Sequence, residues 1–121
     1  MSVAFEGIDR LVVTFLAGDV TAGKPVVMGG EGSVKNASSG QMPVGVALHA
    51  QDGHAAVQLK GFVTVQYSGT TAPALGWTAL SATSAVQPSA GYLRAAGSGE
   101  SGRMCLVVTR DSEKKTVGLF L

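Results

Sequence analysis

The chain has 121 residues, the length of one domain, with 9 Lys and Arg against 8 Asp and Glu and a net charge of +1. Charged residues make up 14% of it, against roughly 25% in an ordinary soluble domain, while hydrophobic residues reach 45% and Gly supplies 17 positions. This balance excludes a protein held to nucleic acid by phosphate contacts, an apolar content this high excludes a disordered chain, and so little charge does not suit a coiled coil.

In chain order, residues 1–10 read as an N-terminal arm. The segment Met1 to Ile8 is expected to be flexible when free and ordered on a partner. Glu6, Asp9 and Arg10 precede the first apolar run, so the start does not resemble a signal peptide. That run, Leu11 to Gly18, contains Thr14 and is far shorter than the ~20 residues a bilayer-spanning helix needs. A soluble protein made inside the cell is the expectation. Asn36-Ala37-Ser38 matches a glycosylation triplet, which without a secretory signal carries no weight.

Leu11 to Phe15 and Pro25 to Met28 read as short strands separated by Ala22-Gly23-Lys24-Pro25, and Gly29-Gly30-Glu31-Gly32 reads as a turn. Pro43 to Ala50 alternates Val44, Val46 and Leu48 with Gly45, Ala47 and His49. The Asp52-Gly53 pair then predicts a hairpin into the clearest pattern of the chain. From Val57 to Tyr67, Val57, Leu59, Gly61, Val63, Val65 and Tyr67 fall on one face, and Gln58, Lys60, Phe62, Thr64 and Gln66 on the other. Gly61 marks a bend or bulge at its centre.

Ala72 to Leu80 leaves room for a helical turn. Trp77 to Ala82 and Tyr92 to Ala96 read as strands. Arg103 to Arg110 and Thr116 to Leu121 flank the polar loop Asp111-Ser112-Glu113-Lys114-Lys115 as a final hairpin. Short strands at intervals near ten residues predict an all-β fold: a small single-domain β-sandwich or β-barrel over residues 11–121, with little or no helix. No repeat of fixed length emerges.

Each residue type that carries chemistry has a plainer reading beside the functional one. Cys105, the single cysteine, lies in Met104-Cys105-Leu106-Val107-Val108 and reads as a buried small hydrophobe rather than a reactive thiol. His49 and His54 flank Asp52 and together offer two imidazoles and a carboxylate to a metal, yet exposed hairpin residues explain them better. The Gly clusters lack the Lys-Ser/Thr pair of a P-loop and precede strands rather than helices. No Gly-x-Ser-x-Gly elbow is present. No catalytic, cofactor or metal residues are therefore assigned. Phe62 interrupts a polar strand face, as a residue buried against a neighbour would. With Tyr67, Trp77 and Phe120 it makes the candidate subunit or capsid interface.

Three stretches carry a resemblance. They are Gly18-Asp19-Val20-Thr21-Ala22-Gly23-Lys24-Pro25-Val26-Val27, Pro43-Val44-Gly45-Val46-Ala47, and Ala56-Val57-Gln58-Leu59-Lys60-Gly61-Phe62-Val63-Thr64-Val65. Together with Ser68-Gly69-Thr70-Thr71-Ala72-Pro73, Gly76-Trp77 and Thr116-Val117-Gly118-Leu119-Phe120-Leu121, they resemble a family of small tailed-phage capsid decoration (head-stabilising, or cement) proteins. The resemblance spans most of residues 18 to 121 and rests on a succession of short Gly/Val motifs. It implies an all-β fold, no catalysis and no cofactor. Its implied partners are the major capsid protein and the chain itself, as a homotrimer, with no nucleic acid and no membrane. The implied location is the exterior of the virion capsid, after synthesis in the host cytoplasm.

Other phage structural roles, such as a capsid spike, a fibre base or a tail protein, fit the same composition. A biotinyl or lipoyl carrier, or a small-ligand-binding β-domain, is a further alternative, because Gly18 to Gly23 resembles a carrier turn. A carrier presents its lysine at a hairpin tip, and Lys60 is expected within a strand.

Overall fold

The computed structural model describes residues 10–38, 40–68, 72–83 and 92–121. The expected arm of residues 1–10 lies, apart from Arg10, outside the described residues. Among these residues ten strands run β1 (Leu11–Ala17), β2 (Pro25–Gly30), β3 (Ser33–Asn36), β4 (Gly45–Gln51), β5 (His54–Lys60), β6 (Phe62–Gln66), β7 (Gly76–Thr83), β8 (Tyr92–Ala95), β9 (Arg103–Asp111) and β10 (Thr116–Phe120). The fold is all-β, as the alternating sequence predicts, and no helix occurs among the described residues. The room left for a helical turn over Ala72 to Leu80 is taken by extended chain that becomes β7 at Gly76. Trp77 and its neighbours find strand partners in β9, and pairing overrides any local helical preference. Strand β3, in a stretch that reads as a Gly-rich turn followed by polar residues, pairs with both β1 and β2.

The Asp52-Gly53 hairpin forms as expected. Both residues take positive φ, 53° and 76°, the signature of a type I′ turn. Gly61, at φ 101°, does more than bend the long alternating run. It ends β5 in one sheet and starts β6 in the other, a conformation that glycine adopts without strain.

The first five strands close a barrel in the order β1-β3-β2-β4-β5. The last five form a second sheet in the order β6-β10-β9-β7-β8. That sheet curls until its edges meet, where Tyr67 bridges Leu93 in parallel. Followed from β6 in the other direction, its order is β6-β8-β7-β9-β10, strand for strand that of the barrel. The senses agree as well. β1 is parallel to β3 as β6 is to β8, and the other ladders are antiparallel in both units. Even the bulge recurs: one extra residue, Leu48, interrupts β4 against β5, and Val108 does so in β9 against β10. The chain is thus one domain built from two copies of a five-stranded motif.

The two cores match position by position. Val26, Val34, Ala47, Ala55 and Val57 fill the first unit. The ladders give their counterparts as Leu80, Leu93, Val107, Val117 and Leu119, all in the core of the second. Phe15 faces Ala55 where Val65 faces Val117, so there volume moves between partners, whereas Ala17 and Val34 both give way to larger residues, Tyr67 and Leu93.

Among the described residues, Lys24, Gln58 and Arg103 hydrogen-bond between the units, Lys24 Nζ donating to Gln66 Oε1 of β6. Gln58 is 1% exposed and donates from Nε2 to the carbonyls of Lys60 (3.0 Å) and Phe62 (2.9 Å), on either side of Gly61. Arg103, opening β9, donates to the carbonyls of Val44 and Leu59 in the first unit. Val46 points out of the first barrel and into the core of the second.

Candidate functional site

Alternation along β6, β7, β9 and β10 sends one set of side chains inward and the other onto the outer face. On that outer face the register aligns a row across four strands: Phe62 opposite Phe120, Phe120 opposite Leu106, and Leu106 opposite Trp77. Residues directly opposite in a sheet share a face, so the row is continuous. The Phe62 and Phe120 rings meet edge to face with centroids 5.5 Å apart. Phe62 also lies over Gly118, where a Cβ would sit 2.8 Å from the ring. Both phenylalanines and Leu106 are half-buried. The Trp77 end is open: the indole is 69% exposed, Met104 on the same face is 57% exposed, and Leu75 stands exposed just before β7.

Three of the four aromatic candidates named from sequence, Phe62, Trp77 and Phe120, therefore come together in one row. Leu106 completes it, and nothing in the bare alternation of β9 singled it out. Tyr67 does not join them. It is 4% exposed and occupies the inward position equivalent to Ala17, so it packs in the core.

His49 and His54 share an outer face of the first barrel, and with Thr14, Gln51, Asp52, Ala55 and Ala56 they line an open depression of about 320 Å³. Each ring is engaged locally: His49 Nε2 with Gln51 Oε1 at 2.9 Å, and His54 Nδ1 with the Asp52 carbonyl at 3.1 Å. Among the described residues, no group of three or more His, Cys, Asp or Glu is placed to hold a metal ion. Cys105 is buried, and burial pushes its thiol pKa up, only partly opposed by the charge of Arg103. A thiol held neutral in this way is a poor nucleophile. Lys60 ends β5 beside Gly61, whereas the tip of the preceding hairpin is Asp52-Gly53.

The Gly-rich loop before β9 carries its own anion. Glu100 Oε1 accepts from Gly97 N–H at 2.7 Å, and its two oxygens accept from Arg94 Nη1 and Nη2 at 2.7 and 2.5 Å. Arg94 first, then the Gly97 amide, hold the Glu100 carboxyl down at about 2. A depressed carboxyl stabilises the fold above its unfolded pKa, and the contribution is lost as pH falls toward about 2. The effect is modest because the pair is solvent-screened. Glu100→Gln is expected to melt below the parent at neutral pH and to converge with it in acid. Thermal melts of both chains down a pH series check this, and a gap that persists unchanged in acid would contradict it.

A scan against protein-family models finds none that matches, and neither the curated proteins nor the solved structures contain a match to this chain. No helix among the described residues is long and apolar enough to cross a membrane.

Proposed function

We propose that this chain is a non-enzymatic capsid decoration protein of a tailed bacteriophage. It is made in the host cytoplasm, binds the outside of the assembled head through the major capsid protein, and stabilises the shell as a self-associating subunit, a homotrimer in the proposed form. The observation that carries the reading is the outer row of Phe62, Phe120, Leu106 and Trp77, with Met104 beside it. A curled sheet cross-braced to the first barrel presents it as a firm apolar face. The resemblance of the Gly/Val motifs points the same way.

A chain with 14% charged residues buries its faces against neighbours with little desolvation cost. A modest contact made at many symmetry-related positions sums to a large stabilisation of the shell. The near balance of charge suits a protein on the far side of the shell from packaged DNA. The carrier alternative loses ground, because Lys60 closes a strand rather than crowning a hairpin.

The test is electron cryomicroscopy and peptide mass spectrometry of particles from the phage or induced prophage that encodes the chain. Density for the barrel and its curled partner sheet on the head exterior is expected. Its presence only in the tail, fibre base or a spike, or its absence from particles, would overturn the reading.

A further inference from the structure

The repeat supplies a comparison within one molecule. The row across the second unit, Phe62-Phe120-Leu106-Trp77, has a counterpart in the first that the same ladders define: Val12 opposite Gln58, Gln58 opposite Val46, and Val46 opposite Pro25. Both rows lie on the outer face of their unit and directly beside the bulge. Their fates differ. Gln58, Val46 and Pro25 are fully buried, and the second unit reaches the first two: Val46 belongs to its core and Gln58 donates to its Phe62 carbonyl. The strand starts of that second unit do the covering: Arg103, at the start of β9, reaches the Val44 and Leu59 carbonyls, and Val46 enters the core behind it. Leu106, the counterpart of Val46, and Trp77, which pairs with it as Pro25 pairs with Val46, have no third unit over them among the described residues. Trp77 stands 69% exposed there.

The geometry points to a head-to-tail contact between copies of this chain, in which the Trp77 end of the row on one copy is covered by the first barrel of another. The occupant is a second copy because the same fold already performs this covering inside the molecule. The covering surface is set by the same equivalence. In the second unit it lies at the starts of β6 and β9. In the first unit the corresponding starts are those of β1 and β4, where Leu11, opening β1, and Met42, three residues before β4, are exposed apolar residues. The contact joins unlike surfaces, so it propagates into a closed ring or an open chain rather than pairing two copies face to face. It deepens the self-association proposed above, yet it stands on the repeat and on Trp77 exposure rather than on capsid binding.

Trp77 is the sole tryptophan, so its emission reports the contact directly. Light scattering and fluorescence of the full chain across a wide concentration range are the experiment. The expected result is a mass rising at least about twofold over the monomer as the indole emission shifts to the blue. Trp77→Glu and the double variant Leu11→Glu/Met42→Glu are each expected to remain monomeric with folded circular-dichroism spectra. Mixed together, they keep one intact pair of surfaces and form a heterodimer. A parent chain that stays monomeric with a solvated indole would overturn the contact. So would a mixture that stays monomeric while the parent associates, or self-association of Leu11→Glu/Met42→Glu on its own, which points to a face-to-face interface. Should Trp77→Glu misfold, Met104→Glu on the same face serves in its place. Association through Trp77 in a chain absent from the head exterior would sustain this inference and defeat the capsid role.

Discussion

Gln58→Ala is expected to destabilise the protein by about 3 kcal/mol, a fall in melting temperature on the order of 10 °C for a domain of this size. The side chain is 1% exposed and its amide serves the carbonyls of both Lys60 and Phe62. Removal costs about 1 kcal/mol for each hydrogen bond, and it leaves two acceptors in a region shut off from water. The break at Gly61, where the chain passes between sheets, then lacks its internal brace. Gln58→Glu sharpens the prediction. It keeps the volume but loses both donors and sets a carboxylate against two carbonyl oxygens, which raises its pKa in the folded state. A raised carboxyl pKa means the folded chain binds more protons than the unfolded one. This variant therefore gains stability on acidification, opposite to the slope Glu100 imposes. Urea titrations of both variants along a pH series are the check. A loss under about 1 kcal/mol for Gln58→Ala would show that water replaces the amide.

How much of this was legible beforehand depends on the residue. The period-two run from Val57 to Tyr67, the Asp52-Gly53 turn and the break at Gly61 all follow from side-chain alternation and from which residues tolerate positive φ. Gln58 lies on the face that alternation gives it, outside the first barrel; what alternation does not show is that in this protein the outside of one unit is the inside of the junction. The repeat escaped a fixed-period reading because the spacing between equivalent residues grows along the chain, from Val13 and Val63 to Val57 and Leu119, while loop lengths differ. Core identities changed at paired positions, such as Ala17 with Val34 against Tyr67 with Leu93, so identical letters seldom align. Phe62 was conspicuous as an aromatic on a polar face. Its alignment with Phe120 and Trp77 needed the register of three ladders, which no local pattern encodes.

Leu119→Ala is expected to cost about 3–4 kcal/mol, because the residue is fully buried in β10 and its neighbours in the second core close the space only partly. The more informative outcome is where the loss is felt. If each five-stranded unit folded alone, the damage would stay in the second. The junction argues otherwise. Val46 of the first unit belongs to the second core, Gln58 braces the strand switch, and Arg103 of the second unit serves two carbonyls of the first. An unfolded second unit would expose Val46 to water and leave Gln58 without the Phe62 carbonyl. The first unit loses burial at the same moment, so one cooperative transition is expected. Amide hydrogen exchange separates the cases. In Leu119→Ala, the slowest amides of β5 are expected to lose as much protection as those of β10, together with a single calorimetric peak at lower temperature. Protection retained in β5 alone would mean that the covered row of the first unit is stable without its cover. It would also remove the energetic ground for expecting the equivalent row at Trp77 to seek one.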